Sequence, residues 1–212
     1  MDFYEKMKSG ELYDCSMDAL PMELFKKLQE CKELICDFNQ SRPWQDALRQ
    51  RIIRKVFAQV GENCYIEPPF HANWGCHMHV GKDFYANFNL TVVDDADIFI
   101  GDSVMIAPNV VIATGAHPIC PELREKVYQY NLPVHIGNRV WIGAGAIVLP
   151  GVTIGDDTVI GAGSVVTKDI PSGVVAVGNP CRVLRPISQR DYEYYYRDRK
   201  IGFPVQKAKQ EE

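Results

Sequence analysis

The chain has 212 residues, 46% of them apolar and 24% charged, and a formal net charge of −4. This is ordinary globular composition, long enough for one sizeable core and an appendage, and its acidic balance excludes any global attraction to nucleic acid or an anionic membrane. The opening MDFYEKMKSGELYD lacks the apolar core of a secretory signal, and every apolar stretch is interrupted short of the ~20 residues that a spanning helix needs, so a cytoplasmic protein is expected.

Residues 1–59 carry helical patterning. Leu20, Leu24, Leu28, Cys31, Ile35 and Phe38 recur at spacings of three and four, one apolar stripe on a helix. Asp18 is placed to cap it and Pro21 suits its first turn. Residues 39–43 break the pattern. A second helix is expected to carry Trp44, Leu48, Ile52 and Val56 at steps of four, with Gly61 just past its end.

From about residue 60 the period changes to six. Ile136, Ile142, Val148, Ile154, Ile160 and Val166 succeed one another without a slip, and Ile100, Ile106 and Ile112 keep the same phase. Val80, Ala86, Val92 and Ile98 form another run and Val60, Ile66, Ala72 and Met78 a weaker one; two extra residues separate one run from the next, Met78 to Val80 and Ile98 to Ile100. A period of six fits neither a helix nor a simple strand, but it fits a β-solenoid in which three hexads make a triangular coil of about 18 residues. Gly101-Asp102, Gly137-Asn138 and Gly155-Asp156-Asp157 supply tight corners.

One long interruption separates Ile112 from Ile136, an excursion of about residues 114–133 that opens with Thr114-Gly115-Ala116-His117-Pro118. A long loop leaving a rigid solenoid is functional or disordered, and this opening favours function. The solenoid is expected over 60–186. A Tyr-rich, charged tail over 187–212 is expected to pack a helix as a cap, with its last residues loose.

The hexad run resembles the hexapeptide-repeat acyltransferases, and finer motifs narrow the resemblance to the maltose/galactoside O-acetyltransferase family. Gly10-Glu11-Leu12-Tyr13-Asp14 and Phe38-Asn39-Gln40-Ser41-Arg42-Pro43 resemble its N-terminal helical domain. Phe84-Tyr85-Ala86-Asn87-Phe88-Asn89, Asp94-Asp95, Ile106-Ala107-Pro108-Asn109 and Ala116-His117-Pro118 resemble its catalytic coils. Trp141-Ile142-Gly143, the run from Gly161 to Pro171 and Gly178-Asn179-Pro180-Cys181-Arg182 resemble its coenzyme A half. The resemblance spans nearly the whole chain. It implies a mainly β fold, a left-handed parallel β-helix with an N-terminal helical segment on the acceptor side. It also implies a homotrimer with active sites between neighbouring subunits, and transfer of acetyl from acetyl-CoA, as co-substrate, to a sugar hydroxyl.

An alcohol attacking a thioester must lose its proton as the bond forms, and a positioned imidazole removes it near neutral pH. His117 matches the family's base. By the same resemblance Asn87 lies near the acetyl group, Asp95 near the acceptor hydroxyls, Tyr85 in the pocket, and Asp14 and Asn73 at the acceptor. As alternatives, Asn87 and Asp95 could be corner residues, Tyr85 packing and Asp14 a helix cap. Trp141, Gly143, Ala144 and Ala162 would take the pantetheine arm, where small residues allow close approach. Thr167, Lys168, Arg182 and Arg185 form a local basic cluster suited to phosphates. A longer segment between Leu20 and Phe38, with no clear counterpart of the galactoside enzymes' acceptor-binding arginine, favours a maltose or glucose acceptor over a galactoside.

Other readings are a different hydroxyl acceptor, such as a lipo-oligosaccharide or an antibiotic, and a γ-carbonic anhydrase-like metalloenzyme using His77 and His79 with His71 or His135. No histidine follows His117 at that family's ligand spacing, so no metal is expected. Seven cysteines with no C-x-x-C predict small buried hydrophobes in a reducing cytosol rather than a disulfide framework or zinc site. No cysteine joins the His117 motif, so direct transfer in a ternary complex is expected.

Overall fold

The computed structural model describes residues 1–205. Three helices precede the solenoid: α1 (Phe3–Lys8), α2 (Met22–Gln40) and α3 (Asp46–Val56). A reciprocal capping box of Asp2 and Glu5 starts α1. Cys31, Ile35 and Phe38 of the expected stripe are buried on α2. The expected cap is absent: Pro21 occupies the N-cap of α2 and makes no side-chain bond, and Asp18 lies outside the helix. Trp44 also falls outside α3 and is 79% exposed. Pro43 disfavours a helical conformation for Arg42 but does not fix where the next helix begins, and α3 starts only at Asp46. Among residues 1–59 the pair Tyr13–Asp14 is a strand, not helix.

The six-residue period becomes a three-faced parallel β-helix. The first face stacks Gln59–Val60, Met78–Val80, Ile98–Ile100, Val134–Ile136 and Thr153–Ile154. The second stacks Tyr65–Ile66, Tyr85–Ala86, Met105–Ile106, Trp141–Ile142, Val159–Ile160 and Val174–Val177, and closes with the antiparallel strand Arg182–Pro186. The third stacks Phe70–Ala72, Leu90–Val93, Val111–Ala113, Ile147–Val148 and Val165–Val166. Register tracks the hexads: Ile136 pairs with Ile154, Ile142 with Ile160 and Val148 with Val166. All six are buried, and they form one continuous core with the upstream hexad residues and the inner faces of α2 and α3.

Every departure from the period falls at one corner, where the chain passes from the third face to the first. Val80, Ile100, Ile136 and Ile170 each come after their predecessor in the core, Ala72, Val92, Ile112 and Val166, by a step other than six, while register on all three faces is kept. At the first-to-second corner the expected Asp and Asn residues form a ladder. Asp102 accepts from the Lys82 N–H, Asn138 from Asp102 and Asp156 from Asn138, at 2.9, 2.8 and 2.7 Å.

The excursion is ordered. Strands Gly115–Ala116 and Tyr128–Asn131 pair antiparallel, flank the short helix α4 (Pro121–Glu125), and extend to Tyr13–Asp14 as a three-stranded sheet. A second small core of Met7, Tyr13 and Trp74 seals the N-terminal segment over this corner. The tail differs from the helix expected for it: a 3-10 turn, Gln189–Tyr192, leads into a hairpin of Tyr194–Tyr196 with Arg199–Lys200. Three consecutive tyrosines at 194–196 favour a strand over a helix. The expected loose end, 206–212, lies outside the described residues. No described helix is long and apolar enough to cross a membrane.

Candidate functional site

His117 comes directly after the strand Gly115–Ala116 and is exposed. Its Nδ1 lies 2.8 Å from the Tyr128 carbonyl oxygen. A carbonyl only accepts, so Nδ1 carries the proton and Nε2 holds a free lone pair. The β-pairing of the excursion thus orients the ring and selects the tautomer. Tyr128 also pairs in register with Asp14, so the N-terminal motif reaches the same loop. Asp14 is exposed on its strand rather than capping a helix. Bonds from the Ser16 hydroxyl and the Ser16 N–H (2.8 Å to Oδ1) hold its carboxyl below the usual range, so it stands at the rim as an ionised acceptor.

Below the rim, Asp95 is only 8% exposed and gathers a polar network. Its Oδ1 accepts from Asn73 Nδ2 (3.1 Å) and Trp74 Nε1 (2.9 Å), and its Oδ2 from Gln129 Nε2 (3.0 Å). Gln129 lies 2.7 Å from the Asn131 Oδ1 and 3.1 Å from the Tyr13 hydroxyl; Asn131 Nδ2 donates to that hydroxyl at 3.0 Å and to the Met7 carbonyl at 2.8 Å. Gly115 is required where the excursion crosses this network, since a Cβ there would stand 2.7 Å from Asp95 Oδ2. Trp74, Gln129, Asn131 and the Tyr128 carbonyl are functional candidates that sequence reasoning missed. The signal available for two of them was the spacing of Gln129 and Asn131, which puts both on one face of a strand.

The other expected residues lie elsewhere. Tyr85 and Asn87 belong to the second face and the corner after it. Tyr85 stacks on Tyr65, ring centroids 6.2 Å apart, and pairs through Met105 to Trp141 in one outward column. Asn87 Oδ1 accepts from the Phe88 N–H at 2.8 Å, an engagement that does not use its Nδ2 donor. Gly143, Ala144 and Ala162 stack at the same corner, where the Gly143 N–H bonds the Ile160 carbonyl at 2.7 Å. The space at Gly143 is taken by the next coil, since a Cβ there would meet the Ala162 nitrogen at 2.5 Å. Glycine is therefore demanded by stacking before any ligand is considered. His117, Asn73 and Asp95 are thus one face of the prism away from Asn87 and Trp141, ~15–20 Å for five or six residues of extended chain.

The basic cluster is divided. Thr167 and Lys168 are exposed at the third-to-first corner near the far end of the solenoid. Arg182 and Arg185 lie on the last strand of the second face. Arg182 donates to the Cys181 carbonyl at 2.7 Å. Arg185 makes two bonds of 2.7 Å to Asp191, and this pairing holds the Asp191 carboxyl far below its ordinary range. Arg185 sits beside Val175, so the column Trp141, Val159, Val175, Arg185 runs along the second face.

The histidines proposed for a metal do not converge. His77 is buried, with Nδ1 donating to the Asp94 carbonyl and Nε2 accepting from the Tyr4 hydroxyl at 2.8 Å. His79 and His135 stack on opposite sides of Phe99, at 4.6 and 4.8 Å. Among the described residues no three His, Cys, Asp or Glu side chains gather to hold a metal ion. All seven cysteines are free: Cys31, Cys64 and Cys181 are buried as expected, whereas Cys36, Cys76 and Cys120 are exposed.

Residues 6–61 match the model of the maltose acetyltransferase hexapeptide capping motif, and residues 133–168 match that of the bacterial transferase hexapeptide (six repeats). A galactoside O-acetyltransferase of Escherichia coli (strain K12) is 48% identical over 97% of this chain and 99% of its own. The solved structure of a galactoside acetyltransferase in complex with coenzyme A superposes with a TM-score of 0.91, at 47% identity over 96% of this chain and 100% of the other. A maltose O-acetyltransferase from Clostridium difficile 630 gives 0.85, at 46% identity over 89% and 99%.

Proposed function

Because the chain belongs to the maltose and galactoside O-acetyltransferase family of hexapeptide-repeat transferases, and so is an acetyl-CoA-dependent enzyme, we propose that it acetylates a sugar hydroxyl with His117 as general base. The observation that carries this is the bond from His117 Nδ1 to the Tyr128 carbonyl, which leaves Nε2 basic at an open rim. The sugar hydroxyl gives its proton to Nε2 as its oxygen attacks the acetyl carbon. The C–S bond then breaks, and the imidazolium returns the proton to the departing thiolate of coenzyme A. Asn87 Nδ2 is placed to donate to the thioester oxygen as charge develops there.

Asp14, Asn73 and Asp95 form the acceptor side. Carboxylates accept from paired sugar hydroxyls, and Asp95 has one of its four lone-pair sites to spare. Coenzyme A lies along the second face with its thioester end at Trp141. The three strand steps from there to Arg185 cover ~14 Å, the reach of an extended pantetheine arm of four or five residue lengths, with Arg182 on that face and Lys168 from the third-to-first edge of the neighbouring copy completing the phosphate end. The two halves lie on different edges of one chain, so a second copy completes each site in a homotrimer. Ile119, 94% exposed at the tip of the His117 loop, is the kind of apolar surface a neighbour covers. The acceptor is of the maltose or glucose type, on the strength of the segment between Leu20 and Phe38. The test is release of free thiol from acetyl-CoA across maltose, glucose and a galactoside. Turnover highest with maltose or glucose is expected; a galactoside turned over best reverses the preference, and no sugar-dependent release overturns the reading.

A further inference from the structure

Asp94 is fully buried beside Asp95, and nothing in the transfer chemistry uses it. Its Oδ1 accepts the backbone N–H groups of Asn73 (3.0 Å) and Trp74 (2.9 Å). The side chains of those same two residues return to Asp95 Oδ1. Two adjacent carboxylates therefore grip one dipeptide, Asp94 by its backbone and Asp95 by its side chains. We propose that Asp94 is a positioning residue of the acceptor site, holding the turn that aims Asn73 and Trp74 at Asp95. The inference rests on the reading that Asp95 meets the sugar.

The second oxygen makes the arrangement more than a turn. Asp94 Oδ2 is buried with no hydrogen-bond partner, whereas holding two N–H groups on Oδ1 needs one acceptor that an Asn would supply. A carboxylate makes those bonds charge-assisted and stronger. Its surroundings give the charge no counterion. Next to it Asp95 is like-charged. His77, which faces its carbonyl, is held neutral by burial, with its pKa lowered. Cys31 on α2 and the Tyr4 hydroxyl on α1 are pushed up by burial, and the Cys76 thiol, although the residue as a whole is exposed, is shielded enough by its surroundings to be pushed up as well. Lys8 on α1 is tied to Asp97 at 2.7 Å. Burial raises the Asp94 carboxyl to about 7. The grip on the turn thus tightens as pH rises through neutrality and Asp94 ionises.

The experiment is steady-state kinetics with maltose and acetyl-CoA at pH 6 to 8 for wild type, Asp94→Ala, Asp94→Asn and Asp95→Ala. Asp94→Ala is expected to raise the acceptor KM about tenfold, the worth of a charge-assisted bond, with the acetyl-CoA KM within about twofold. Asp94→Asn keeps one neutral acceptor and is expected to recover most of that loss. It is also expected to flatten the wild-type fall in acceptor KM with rising pH, since the variant has no carboxyl to ionise at this position. An unchanged acceptor KM in Asp94→Ala, or an equal rise in both KM values, overturns the proposal. If Asp94→Ala fails to fold, a pH dependence in Asp94→Asn equal to that of wild type overturns it instead. An unchanged acceptor KM in Asp95→Ala removes the underlying reading and the proposal with it, an outcome distinct from failure of Asp94 alone.

Discussion

The stretch from Ile136 to Val166 and the third-to-first corner of the early coils are built from the same repeat and do opposite work. In the first, every sixth residue is buried and no residue is inserted. In the second, the steps into Val80, Ile100 and Ile136 are lengthened, and the added residues hold Asn73, Trp74, Asp94, Asp95 and the His117 loop. An insertion at a corner leaves strand register intact, because the strands on either side still find their partners one coil away. The regular coils supply a continuous apolar core, and the extra residues gather hydrogen-bonded polar side chains at one edge of it.

That contrast breaks first at His117. His117→Ala is expected to lower turnover by about 10²–10⁴-fold, the usual worth of a general base, with the acetyl-CoA KM little changed in steady-state assays. Near-normal turnover would put the base elsewhere. A change in the regular coils must behave differently. Ile142→Ala is expected to cost about 2–5 kcal/mol of stability by chemical denaturation, while the surviving folded enzyme keeps its acceptor and donor KM values. A selective shift in either KM would deny the division of labour.

Smaller effects sharpen it. Asp14→Ala is expected to raise the acceptor KM about tenfold and flatten discrimination among maltose, glucose and a galactoside, because a site built to bond hydroxyls penalises their absence. An untouched sugar ranking would leave Asp14 as a turn residue bonded only to Ser16. Lys168→Ala and Arg182→Ala are each expected to raise the acetyl-CoA KM roughly five- to tenfold. They should matter less for a short thioester donor without the nucleotide; equal losses with both donors would make these residues structural.

The solenoid was legible because a period of six leaves little else to build, and the excursion was legible as its one long break. The two-residue slips were visible too, but not that they share a corner with the excursion, which depends on counting faces in three dimensions. The partners of Asp95 were hidden for the same reason: Trp74 looks like core, and Gln129 sits in a charged loop until Tyr13, 116 residues away, pairs beside it. Arg185 was legible as part of a basic cluster, whereas its pairing with Asp191 became visible only when the tail turned back. Gly143 was legible as a small residue at a corner, but not that the next coil itself demands glycine there.

The central claim is that the base-bearing edge of one chain works with the donor face of another. It is tested most directly by mixing two variants, His117→Ala and Asn87→Ala, each expected to be nearly inactive alone. In randomly mixed homotrimers about one quarter of the sites between neighbours would join an intact His117 to an intact Asn87. The account predicts recovery to about a quarter of wild-type turnover after co-refolding in equal amounts. Activity no higher than that of the two variants assayed separately would contradict it.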